Sequence, residues 1–112
     1  MKQENLIESV PSMWKFWESK GINTEADISI LFKFYSAFDK ESSVFAKELE
    51  TKGYQVTRKS KRTLIFLKGF EITAERTKIW TQNELESAIT ELELLGQQNS
   101  TILEGYFAAD PN

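Results

Sequence analysis

One stretch constrains this chain more than any other: residues 27–56, which change hydrophobic period twice. From Asp27 to Tyr35 the residues alternate, with Ile28, Ile30, Phe32 and Phe34 on one side and Asp27, Ser29, Lys33 and Tyr35 on the other. A period of two marks a half-buried strand. After Asp39 the period lengthens, and Ser42, Phe45, Ala46 and Leu49 recur at three- and four-residue steps, which predicts a helix with one apolar face. Asp39 is placed to cap that helix and Gly53 to end it in a left-handed turn. Tyr54-Gln55-Val56 then opens a second strand, completing a β-α-β unit.

The flanking segments extend this pattern. Leu6, Ile7, Val10, Met13, Trp14 and Trp17 fall at helical spacing around Pro11, which predicts a helix from about Pro11 to Lys20, closed by Gly21. Trp14 and Trp17 share a face. They serve either to dock this helix on the domain or as an exposed anchor for a partner. After the helix expected near 40–52, the chain reads as a hairpin whose tip, Lys59-Ser60-Lys61, sits in the basic run Arg58, Lys59, Lys61, Arg62. Its return strand runs from Arg62 to about Thr73 and is apolar on both sides: Leu64, Phe66, Phe70 and Ile72 have one parity, Ile65 and Leu67 the other. Gly69 marks a possible bulge there that switches the faces.

Thr81 followed by Glu84 forms a capping box, and Trp80 with Leu85 a hydrophobic staple. The helix they start, expected near 82–95, carries the apolar stripe Leu85, Ala88, Ile89, Leu92, Leu95 and ends at either Gly96 or Asn99. Glu84 and Glu91 flank the stripe on one side, Glu86 and Glu93 on the other, while Leu94 points away from it. No basic residue follows Lys78. Thr101 to Ala109 alternates as a last strand before a short polar tail with Pro111.

The order is a helix, then β-α-β-β-α-β. The expectation is α+β: one ferredoxin-like domain over residues 1–112, with an N-terminal helical extension over about 1–21. Right-handed crossovers put both later helices on one face of an antiparallel sheet of order 4-1-3-2.

Chemistry is narrowed by what the chain lacks. Its 112 residues include no Cys and no His, so thiolate and imidazole metal sites, cysteine nucleophiles and Ser-His-Asp triads are excluded. No glycine-rich phosphate loop or Asp-x-Asp cluster appears. No catalytic, cofactor or metal residue is therefore assigned, and a non-enzyme is expected. A net charge of −3 argues against a dedicated nucleic-acid binder. Lys68-Gly69-Phe70 matches the opening of an RNA-recognition signature, but Ile72 stands where a second stacking aromatic belongs, so RNA is not expected as a partner. Nothing near Met1 reads as a signal peptide and no apolar run reads as a membrane span, which gives a cytoplasmic expectation.

The chain also resembles the regulator of ribonuclease E activity B family. The likeness begins at Trp14-Lys15-Phe16-Trp17 and continues in Phe45-Ala46 through Leu49 to Gly53-Tyr54-Gln55-Val56. It takes in Ile72 to Thr77 and Glu104-Gly105-Tyr106, and covers about residues 12–109. Here Glu-Gly-Tyr stands where the family tends to have Asp-Gly-Trp, and Asn99-Ser100 where it tends to have Gly-Gly. The resemblance implies a bacterial, non-catalytic, ferredoxin-like regulator that binds a protein partner, a ribonuclease E-like endoribonuclease, and restrains RNA cleavage. The acidic helix surface (Glu84, Glu86, Glu91, Glu93 and Leu94) is the candidate contact. The alternative is a binding module that uses its sheet face for RNA or for self-association.

Overall fold

The structure is a computed structural model that describes residues 6–64 and 67–109, with side chains described outside 63–68. It is α+β, with a four-stranded antiparallel sheet and three helices. After a 3-10 turn (Ile7–Ser9) come α1 (Val10–Ser19), β1 (Asp27–Ser36), α2 (Asp39–Thr51), β2 (Gln55–Leu64), β3 (Leu67–Ile79), α3 (Gln82–Gln98) and β4 (Thr101–Ala108). The sheet order is β2-β3-β1-β4, so β2 and β4 are the edges.

The alternation in β1 is realised as written. Ile28, Ile30, Phe32, Phe34 and Ser36 are buried and the residues between them are half-buried. The buried side joins Trp14 and Trp17 of α1, Phe45 and Leu49 of α2, and Leu85, Ile89 and Leu92 of α3 in one core. Phe34 meets Phe45 edge-on at 4.8 Å, and Phe32 lies among Tyr54, Trp80 and Tyr106 at 6.1–6.4 Å. Each such large side chain contributes about 1.5–3 kcal/mol on burial. All three helices therefore serve one face, and among the described residues no helix covers the other, open face of the sheet.

Helix boundaries follow local chemistry. α2 ends in a Schellman turn: Gly53 at φ +98° donates to Glu50 O, and Tyr54 N–H reaches back to Leu49 O. α3 begins with the expected capping box between Thr81 and Glu84, and Trp80 and Leu85 are both buried.

Several expectations are corrected. Asp39 is not the N-cap of α2. Phe38 holds that position, and Asp39, the first helical residue, instead accepts from Arg58 Nη1 at 3.0 Å. Lys59-Ser60-Lys61 is not a hairpin tip. β2 pairs with β3 through Leu64↔Leu67, which leaves 65–66 between the strands; Ile65 and Phe66, and the side chains of Leu64 and Leu67, lie outside the described residues. β3 also continues past Thr73 to Ile79, because Asp27 to Ser36 offer it an unbroken partner. Gly69 is no bulge, as it pairs in register with Lys61. α3 runs through Gly96 to Gln98 and ends at the second of its two expected sites, with Asn99 as C-cap, though Asn99 has φ −121° and the positive φ falls one residue later at Ser100 (φ 53°). Gly96 is buried where a Cβ would stand 2.7 Å from Thr101 O, so close approach to β4, not helix termination, explains it. The tail 110–112 lies outside the described residues.

Candidate functional site

α3 presents its outer surface opposite the stripe Leu85, Ile89, Leu92. Leu94 sits at the crown of that surface, 57% exposed. The two glutamate pairs beside it are not equivalent. Glu84 is half of the capping box and also holds Lys78 Nζ at 3.1 Å. The lysine and the Thr81 backbone keep its carboxyl below the usual carboxylate range. Glu91 meets Lys52 Nζ at 3.5 Å. This flank closes over a shallow cleft of ≈ 450 Å³ lined by Tyr54, Arg76, Lys78, Trp80, Glu84 and Glu91. Arg76 stacks on the Tyr54 ring at 4.2 Å and bonds the Lys52 carbonyl. Burial raises the Tyr54 phenol, with Arg76 opposing and Glu91 adding.

The other flank differs. Glu86 and Glu93 are half-buried, and among the described residues neither has a basic group within 4 Å. Their charge is uncompensated, whereas neighbours neutralise Glu84 and Glu91. The sequence-predicted acidic surface is therefore two surfaces, and Glu86, Glu93 and Leu94 form the one that remains available.

The positions carrying the family likeness are structural. Trp14 and Trp17 are buried with ring centroids 5.7 Å apart, and Trp17 meets Tyr106 edge-on at 6.1 Å. They dock α1 on the domain rather than standing out as an anchor. The Tyr106 hydroxyl shares a 2.7 Å hydrogen bond with Ser9 Oγ, and burial raises its pKa. Glu104-Gly105 forms a bulge: Lys33 pairs with Gly105 and Phe34 with Leu103, leaving Glu104 extra. That extra residue lets Leu103 and Tyr106, of opposite parity, both face the core. Gly53 is fixed by its positive φ and by Arg76 Nη2, which a Cβ would approach at 2.8 Å.

A second charged constellation was not anticipated. On the open sheet face, Glu71 is only 8% exposed and is ringed by Lys33, Lys59 and Lys61 at 3.6, 3.7 and 3.5 Å. Burial alone would raise its carboxyl; the three ammonium groups override this and lower it. The predicted basic cluster is thus divided by strand parity. Lys59 and Lys61 face Glu71, while Arg58 turns to the helical side, bonding Ser42 Oγ at 3.0 Å and covering the Phe70 ring at 5.0 Å. The signal available in the sequence was the alternation Lys59, Lys61 against Arg58, Ser60, Arg62, which reads as strand once β2 is carried on to Leu64.

Among the described residues, no three acidic side chains are grouped as a metal site requires, and no helix is long and apolar enough to cross a membrane. No protein-family model matches the chain, and no curated protein matches it.

Proposed function

We propose that this chain is a non-catalytic regulatory protein that acts by binding a protein partner through the Glu86, Glu93 and Leu94 surface of α3. The observation that carries the reading is the asymmetry of the helix: Glu84 and Glu91 are neutralised by Lys78 and Lys52, while Glu86 and Glu93 flank an exposed leucine without a counter-charge. A basic segment complements that arrangement. It would be drawn in by charge and held by apolar contact with Leu94.

The same reading takes the fold as ferredoxin-like. The strand order β2-β3-β1-β4 and the shared core of α2 and α3 support it. With the resemblance to regulators of ribonuclease E activity, it makes an RNA-degrading endoribonuclease the partner to try first, and inhibition of cleavage the effect to measure. The test mixes the purified protein with such an endoribonuclease and follows both association and RNA cleavage, with Glu86→Lys/Glu93→Lys as the variant. Binding that the double reversal weakens supports the surface. Binding that is indifferent to it removes the surface, and the absence of any binding removes this partner.

A further inference from the structure

The strand registers place the open face in rows. Lys59, Glu71, Tyr35 and Ile102 form one row across the four strands; Thr57, Thr73, Lys33 and Gly105 form the next; Gln55, Glu75, Leu31 and Phe107 the one after. Lys61 and Gly69 begin the row on the other side. The Tyr35 ring lies over Gly69, so that any Cβ there would run into its hydroxyl and ring carbons. Glycine at this position lets the half-buried Tyr35 ring rest on the sheet, in the row beside the one that Lys61 begins. The Phe70 ring does not reach this face. It pairs with the buried Ser36 and is covered by Arg58 on the helical side.

At this end of the sheet three ammonium groups surround one carboxylate, leaving two positive charges in excess. Of the other acids of this strand parity, Glu75 lies two rows away and is bonded by the Ser29 hydroxyl, and Asp27 lies four rows away at the far end of β1. Lysines beside an aromatic ring that keeps part of its surface exposed, as half-buried Tyr35 does, are the elements that hold a single-stranded nucleic acid: the ammoniums take phosphates, and the ring takes a base through a face that every base offers. Apolar Leu31, Ile102 and Phe107 continue the face toward β4.

We infer that the open face, through Lys33, Lys59, Lys61 and Tyr35, is a binding site for single-stranded nucleic acid. It is separate from the α3 surface, so a molecule docked on its partner presents this face to the strand. Glu71 holds the lysines together in the free protein and competes with phosphate for them. Its removal therefore strengthens binding, whereas in a purely structural ion-pair cluster it would not.

The test is fluorescence anisotropy with a labelled, unstructured oligouridylate, titrated at several salt concentrations. Three phosphate contacts give a log–log salt slope of about −2, from about 0.7 per contact on a single strand. Lys59→Gln/Lys61→Gln brings the slope to about −0.7. Tyr35→Leu weakens binding about fivefold or more without changing the slope. Glu71→Gln tightens binding. Melting curves check the fold of each variant, and should Tyr35→Leu fail to fold, the lysine pair and Glu71→Gln carry the test. No binding at low salt overturns the inference, as does binding unchanged in the lysine variant or weakened in Glu71→Gln. If polyglutamate displaces the oligonucleotide as well as unlabelled oligouridylate does, the face takes acidic protein segments instead, and the inference also fails.

Discussion

The indole N–H of Trp80 donates to the carbonyl of Ile28 at 3.1 Å in the buried interior, tying the entry to α3 to the start of β1. The same ring packs on Phe32 at 6.2 Å and precedes the capping box of Thr81 and Glu84. One side chain therefore sets where α3 begins and how it is anchored to the sheet.

Replacing Trp80 by Phe keeps an aromatic body but removes the donor. The expected cost is about 1–3 kcal/mol, the usual range for a lost buried hydrogen bond that leaves its partner short. Urea unfolding with an unchanged m-value measures it. A change below a few tenths of a kcal/mol would show that the bond contributes little.

Gly53→Ala places a Cβ at φ +98° and 2.8 Å from Arg76 Nη2. Both the backbone conformation and the contact oppose it, so the variant loses more than about 1 kcal/mol. Arg76, which bonds the Lys52 carbonyl and stacks on the Tyr54 ring, must also shift. Thermal melting of Gly53→Ala beside Gly21→Ala separates the two causes. Gly21 also has a positive φ but nothing within 4 Å of its Cβ position, so it pays only the backbone part.

Much of this architecture was legible because its signals are local. Alternation in Ile28 to Phe34, the capping box at Thr81 and Glu84, and the turn at Gly53 each depend on a few adjacent residues. The errors arose where a residue answers to a distant partner. Lys59 and Lys61 read as a tip because four basic residues in five suggest solvent, yet strand pairing with β3 places them beside Glu71. Gly69 and Gly96 read as a bulge and a helix end, but each is small because something crosses it: the Tyr35 ring in one case and the Thr101 carbonyl in the other. The acidic surface of α3 was visible in the sequence. Its division into neutralised and free halves was not, since Lys52 and Lys78 come from other elements.

Glu71 also gives stability a pH dependence. Its carboxyl titrates below the ordinary 4.5 in the folded protein because Lys33, Lys61 and Lys59 outweigh the opposing effect of burial. A depressed folded pKa means that the contribution is complete above the unfolded value and is lost as pH falls through the folded one. The stability difference between the native protein and Glu71→Gln should therefore be constant near neutrality and shrink as pH falls below about 4.5. A difference that grew toward acid pH would contradict this sign.

The proposed docking of a basic partner segment on the Glu86 and Glu93 side of α3 can be measured directly. The most direct measurement is a salt series of binding titrations against a purified ribonuclease E-like endoribonuclease, comparing the native protein with Glu86→Lys/Glu93→Lys and Glu84→Gln/Glu91→Gln. Exposed ion pairs contribute only about 0.2–1 kcal/mol each, so the double reversal, which also adds repulsion, is the informative change. The double reversal is expected to weaken binding at least about tenfold and to flatten the salt dependence with little change in melting temperature, while Glu84→Gln/Glu91→Gln leaves affinity nearly unchanged. Affinity that ignores the Glu86 and Glu93 reversal, or falls equally for both pairs, would contradict it.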